Sequence, residues 1–306
     1  MRIVSLLASA TEIVCALGAG EMLVGRSHEC DSPEWVRRLP ACSAPAFDVS
    51  VSSGEIDAEV RRRLQSGEPL YHIHSELIRE LRADLLITQS HCEVCAVTPG
   101  DIERSGVCAS PARQVALSAS SLEEIFQGVL MIARELGLEQ QGAAVVRHER
   151  ERLDAVREKT ANLRRPTVVM VEWTDPLFAM GNWGPELVTL AGGADMLGTV
   201  GQHSTTTPWE AVRAADPDVL VVAPCGFDLS RAAREMPLFA ARPGWADLRA
   251  VRAGRVFVAD GNLYFNRSGP TLFETPEILA ELLHPAMFPA RHEGSAWARW
   301  PSSAAS

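Results

Sequence analysis

Three short segments of the chain gather side chains that bind metals or move protons: His28-Glu29-Cys30-Asp31, then Ser90-His91-Cys92-Glu93-Val94-Cys95, then Glu172-Trp173-Thr174-Asp175. Cys225 stands alone further on. Thiolates and imidazoles suit soft metals, namely zinc, copper(I) or iron in a sulfur cluster. The two-residue gap between Cys92 and Cys95 lets both sulfurs reach one ion, with Cys30, His28 or Cys225 as candidates to complete the shell. A second chemistry fits the same residues, because a CxxC pair at a helix start can form a reactive thiolate. A third reading leaves the thiols packed beneath a polar pocket, bonded to nothing. Glu172 and Asp175 are spaced as a general acid/base pair beside Trp173, or as carboxylates that cap a helix or orient a ligand.

Such groups need a scaffold that ends several strands at one edge. Short β-branched or apolar runs alternate with helical patterns, the signature of βαβ units and parallel sheets. The spacing predicts strands over 3–7, 22–26, 85–89 and 114–117 in one half, and over 167–171, 219–223 and 256–259 in the other. Ligands of open α/β sheets bind beyond the carboxyl ends of the strands. His28, Glu29 and Cys30 follow the second run; Gln89 closes the third, with Cys92 and Cys95 beyond it. Glu172 and Trp173 follow the fifth, Cys225 and Phe227 the sixth, and Tyr264 the seventh. Trp173 and Trp183 are candidate ligand walls or core residues. Tyr264 and Arg267 are candidates to touch an anionic or amide-bearing ligand, a solvated arginine being the alternative. His72 and His74 read as turn or surface residues.

Between the halves, Ser120 is expected to cap a helix through Leu136, with Glu123 as its third residue. A charged stretch from about Glu139 to Leu163 then reads as one long rod able to tie two lobes together. The halves echo each other: residues 16–23 resemble 190–197, and 76–86 resemble 210–220. The expected organisation is α/β, with two Rossmann-like lobes built on central parallel sheets and joined by a single long backbone helix. The boundaries fall at 1–118, 119–164 and 165–306.

Composition narrows the partners. The 306 residues carry 29 Lys and Arg against 39 Asp and Glu, a formal charge of −10, and no basic run marks a nucleic-acid footprint. No segment approaches the ~18–20 apolar residues of a membrane span. Residues 1–7 run directly into the first expected strand with no leader pattern ahead of it, so a cytoplasmic location is expected. The seven cysteines, an odd number, then read as thiols.

Val4-Ser5-Leu6-Leu7-Ala8-Ser9-Ala10-Thr11-Glu12, followed by Val24-Gly25, resembles the start of the helical-backbone substrate-binding proteins of ABC importers for cobalamin, haem and siderophores. Asp175-Pro176-Leu177-Phe178, Glu186-Leu187-Val188, Ala191-Gly192-Gly193 and Thr207-Pro208-Trp209-Glu210 are similar to the second lobe of the cobalamin-binding members. The likeness runs from residue 1 to about 285 and implies two lobes facing across a ligand cleft. It also implies aromatic side chains against a corrin, and here the sequence departs from the pattern. Glu29 takes the place of a tyrosine and Gln89 stands near an expected tryptophan, leaving Trp173, Phe178 and Trp183 on the second lobe alone.

These readings converge on a cytoplasmic protein that holds a corrinoid, metal chelate or soft metal ion (Zn, Fe or Cu) between its lobes. The expected contacts are His28, Glu29, Gln89, Glu172, Trp173, Phe178, Trp183, Phe227 and Tyr264, with Cys30, Cys92, Cys95 and Cys225 as metal candidates. The alternative is a metal- or thiol-dependent enzyme on the same scaffold. The expected partner is a small molecule, with neither nucleic acid nor membrane span; contact with an ABC transporter is not expected of a cytoplasmic protein.

Overall fold

The computed structural model describes residues 1–92, 94, 96–107 and 112–301. The first lobe runs β1 (Ile3–Ser5), α1 (Ala8–Ala16), β2 (Leu23–Arg26), β3 (Ser43–Pro45), α2 (Ser53–Ser66), β4 (Tyr71–Ile73), α3 (Ser75–Glu80), β5 (Leu85–Gln89), α4 (Pro99–Arg104) and β6 (Arg113–Leu117). Its sheet has the order β2-β1-β5-β6, with every pairing parallel. Ile3, Val4, Leu85, Leu86 and Ile87 are all but sealed from solvent, as expected of strands covered on both faces. Strands β3 and β4 form a separate antiparallel ribbon.

The connector holds the two expected helices, α5 (Leu122–Leu136) and then the long rod α6 (Glu139–Thr160). Gly137, at φ 69°, closes α5 in the left-handed conformation that L side chains resist. The cap sits one residue beyond the expected position. Ser121 Oγ accepts from the Glu124 amide, while Ser120 donates its N–H and its hydroxyl to the Glu124 carboxylate. The two helices approach closely at Gly142, where a Cβ would lie 2.5 Å from that of Ala133. Helix α5 packs on α1, and α6 packs on the second lobe.

The second lobe runs β7 (Thr167–Thr174), β8 (Leu177–Ala179), α7 (Gly184–Leu190), β9 (Ala194–Asp195), β10 (Thr205–Thr206), α8 (Trp209–Ala215), β11 (Val219–Val222), α9 (Leu229–Ala240), α10 (Arg249–Arg252), β12 (Val256–Ala259), α11 (Thr275–Leu283) and β13 (Trp297–Arg299). Its parallel core, β9-β7-β11-β12, repeats the order of the first sheet; β8, β10 and β13 are antiparallel additions. Pairing with β8 extends β7 three residues past its expected end, so Glu172 and Trp173 lie on the strand itself. A register shift between Val171 and Trp173 falls at Glu172, and bulges of this kind re-aim side chains. Among the described residues no helix is long and apolar enough to cross a membrane.

Candidate functional site

A cleft of about 620 Å³ lies between the lobes, within the size range of small-molecule sites. The first lobe contributes His28, Glu29 and Asp31 from the end of β2, Phe47 and Tyr71 beside the β3–β4 ribbon, and Ile56 and Val60 from α2. The second contributes Glu172 and Trp173 from β7, Phe178 from β8, Cys225 and Phe227 after β11, and Arg231 from α9. Both walls are therefore aromatic. The sequence placed aromatics on the second lobe alone, but the ribbon supplies Phe47 and Tyr71 to the first. Tyr71 is held by donating its hydroxyl to the Val94 carbonyl, and its ring lies 5.5 Å from that of His28. Across the cleft, Trp173 and Phe227 pack at 5.2 Å, and the Arg231 guanidinium covers the Phe227 ring at 3.7 Å.

The charged groups of the walls are five carboxyl residues, Glu29, Asp31, Asp57, Glu172 and Asp228, and three arginines, Arg26, Arg37 and Arg231. Burial pushes Glu29 up to about 7, although its side chain keeps 42% exposure to the cleft, and neighbouring Asp31 adds to the rise while Arg267 opposes it. Burial likewise lifts Glu172 to about 7, against the hydroxyl that Ser204 donates to it. His28 goes the other way: burial, with the Arg26 charge, lowers it to about 4, so the ring is neutral near pH 7. Its Nδ1 sits 2.9 Å from Ser43 Oγ.

The lobes are tied below and beside this cleft. Arg267 of the second lobe is 4% exposed and donates to Glu12 Oε1 on α1 at 2.9 Å; its other terminal nitrogen lies 2.8 Å from Asp31 Oδ1. Thr271 Oγ1 donates to the second Glu12 oxygen at 2.8 Å, and Asn262 Nδ2 to Asp31 Oδ2 at 2.8 Å. Burial works against the Arg267 charge, but the two carboxylates outweigh it and hold the guanidinium protonated. At another edge His91 stacks on His203 at 4.1 Å, and its Nε2 lies 3.1 Å from Asn182 Oδ1. Ser53 Oγ donates to Glu235 at 2.6 Å and lies 2.8 Å from Thr174 Oγ1.

Of the expected contacts, His28, Glu29, Glu172, Trp173, Phe178 and Phe227 line the cleft. Three do not. Gln89 is buried and works on its own loop, donating to the Cys92 and Ala96 carbonyls and accepting from the Cys92 amide. Trp183 is 7% exposed, packs in the main core and donates its indole N–H to the Phe265 carbonyl at 2.9 Å. Tyr264 packs against the same core. Arg267, read as a ligand contact or a solvated residue, is the inter-lobe tie.

Cys30 and Cys225 line the cleft from opposite lobes. Cys30 is 1% exposed, with its sulfur within 3.0 Å of Thr11 Oγ1 and 3.2 Å of Ser27 Oγ. Cys225 lines the opposite wall, its amide donating to the Glu172 carbonyl. Cys95 lies outside the described residues. Among the described residues no group of three or more His, Cys, Asp or Glu side chains is arranged to hold a metal ion, so the expected thiol-rich metal site is not supported.

Two α/β lobes of matching topology, linked by helices and facing across an aromatic cleft, define a substrate-binding protein of the kind that closes on a small ligand. The chain belongs to the periplasmic binding protein family, whose model matches residues 3–263. It is 24% identical over 298 residues to an uncharacterized ABC transporter substrate-binding lipoprotein, YvrC of Bacillus subtilis (strain 168), covering 94% of this chain and 81% of the relative. A periplasmic heme-binding protein from Pseudomonas aeruginosa superposes with a TM-score of 0.70 at 24% identity, over 94% of this chain and 93% of that one. The periplasmic vitamin B12 binding protein BtuF of Vibrio cholerae gives 0.66 at 19%, over 93% and 97%. The relatives overturn the expected cytoplasmic location: they are lipoproteins and periplasmic proteins, which points outside the cytoplasmic membrane.

Proposed function

We propose that this protein is the ligand-capturing component of an ABC importer and holds a flat macrocycle, of the haem or corrin class, between its lobes. The observation that carries this reading is the pairing of aromatic walls: Phe47 and Tyr71 on one lobe against Trp173, Phe178 and Phe227 on the other. Broad aromatic faces on both sides of a narrow gap favour a planar, largely apolar ligand, because each ring gains contact area over its whole face. The names of the relatives, which bind haem and vitamin B12, fit that shape.

Titration of the full chain with haemin and with dicyanocobinamide, followed by quenching of tryptophan fluorescence and by the absorption band of each ring, tests the reading. Saturation at one ring per chain is expected for at least one of the two. Absence of binding by both overturns it.

A further inference from the structure

We infer that Glu29 and Glu172 make the cleft selective for a ring whose arms are uncharged amides and turn away the same ring carrying carboxylates. The inference rests on the macrocycle reading and names the chemistry of the ligand's edge. The two carboxyl groups face the cleft from opposite lobes, and among the described residues neither makes an ion pair with an arginine or lysine, although the Arg267 charge is felt at Glu29. His28 Nε2 lies 3.9 Å from Glu29 Oε1, on a ring that is neutral near pH 7. The Glu172 carboxyl accepts the Ser204 hydroxyl.

The guanidiniums of the cleft are already engaged. Arg26 donates to the backbone carbonyls of Leu39, Ser27 and Arg37. Arg37 donates to the Asp31 carbonyl at 3.3 Å and lies 3.7 Å from its carboxylate. Arg231 donates to the Val49 and Val51 carbonyls and covers Phe227. A ligand carboxylate entering this cleft therefore meets five acidic side chains, Glu29, Asp31, Asp57, Glu172 and Asp228, against three guanidiniums that already donate to backbone carbonyls. An amide arm offers N–H donors that carboxylates accept and a carbonyl that protonated carboxyls can donate to. Like charges set face to face in a desolvated site are costly, which converts the pair into a filter.

The filter responds to pH. Near Glu29 the charged and titratable neighbours are His28, Asp31 and Arg267; near Glu172 they are Cys92 and His203. Raising the pH through about 7 ionises both carboxyls and deepens the discrimination, whereas at pH 6 they are largely protonated. The carboxylic acids of a ligand titrate near 4 and stay ionised over this range.

The test compares two forms of one ring, dicyanocobinamide with amide arms and dicyanocobyrinic acid with carboxylic acid arms, with haemin as a third probe. At pH 8 the wild-type chain is expected to bind the amide form roughly tenfold or more tightly than the acid. The ratio is expected to shrink at pH 6, and to shrink at pH 8 in the Glu29→Gln/Glu172→Gln double variant through stronger binding of the acid. The pH arm needs no substitution and reads the filter even if the double variant folds poorly. Equal affinities, a preference for the acid, or a ratio that ignores both pH and the variant overturns the inference alone. Binding of haemin without either corrin also overturns it and leaves the macrocycle reading in place. If none of the three binds, that reading falls and takes the inference with it.

Discussion

Two sets of carboxyl groups leave bulk water at the lobe interface, and they differ in their partners. At the floor of the cleft, both Glu12 oxygens accept hydrogen bonds, one from Arg267 and the other from Thr271, and the same guanidinium reaches Asp31. On the walls, Glu29 and Glu172 have no guanidinium within ion-pair distance among the described residues; burial raises their affinity for protons, as it does that of Glu12, where the Arg267 and Thr271 hydrogen bonds oppose the rise. A buried ion pair adds little net stability but fixes geometry, because either partner alone is strongly disfavoured. The floor thus behaves as a spacer that sets the distance between the lobes. The walls hold carboxyl groups that make no ion pair with an arginine among the described residues.

The largest expected effect breaks the floor. Arg267→Met leaves Glu12 without its cation in an apolar surrounding and should cost about 3–5 kcal/mol, read from urea unfolding. The double variant Glu12→Leu/Arg267→Met removes both charges and should recover much of that loss. If Arg267→Met unfolds within about 1 kcal/mol of wild type, the floor is no spacer and the contrast with the walls disappears.

The next effect belongs to the walls and depends on pH. Glu172 has a raised affinity for its proton in the folded chain, so its contribution is fully present below the unfolded value of about 4.3 and is lost as pH rises through about 7. Wild type should therefore lose stability relative to Glu172→Gln between about pH 4.5 and 7, by roughly 3 kcal/mol in all, and run parallel to it outside that window. His28 is shifted the opposite way, losing stability as pH falls from about 6.5 towards 4, but it is common to both proteins and cancels in the difference. Thermal melts of the two across this range decide the matter; parallel curves throughout would mean that Glu172 is solvated like any surface carboxylate.

Much of this arrangement was legible in the sequence. Strand positions followed from apolar runs, and β5 and β12 fall on the expected residues. Placing residues just past strand ends brought His28, Glu29, Cys225 and Phe227 to the cleft because that edge is where an α/β sheet opens. Spacing does not show which way a side chain turns, and there the reading ran out. Gln89 and Trp183 sit beside the cleft in sequence but are drawn away by backbone carbonyls that need donors. Phe47 and Tyr71 lie by a two-stranded ribbon outside both sheets, where the alternation of Tyr71 and Ile73 was the available signal. Arg267 and Glu12 are 255 residues apart, and one sequence gives no means of pairing them. The side of the membrane was not legible either, since the same lobes fold from the same composition in either compartment.

The two tryptophans provide the finest test of wall against core. Trp173 is half-buried on the cleft, so Trp173→Ala should weaken binding of whichever macrocycle saturates the chain by about 1.5–3 kcal/mol, tenfold or more. Trp183 is sealed, and its one polar atom satisfies the Phe265 carbonyl just beyond the cleft residue Asn262. Trp183→Phe keeps most of the ring but strands that carbonyl, which should lower unfolding stability by about 1 kcal/mol with no change in affinity beyond twofold. Fluorescence titration beside urea unfolding separates the two. A Trp183→Phe protein that binds as weakly as Trp173→Ala would place both rings on the ligand path and erase the boundary between wall and core.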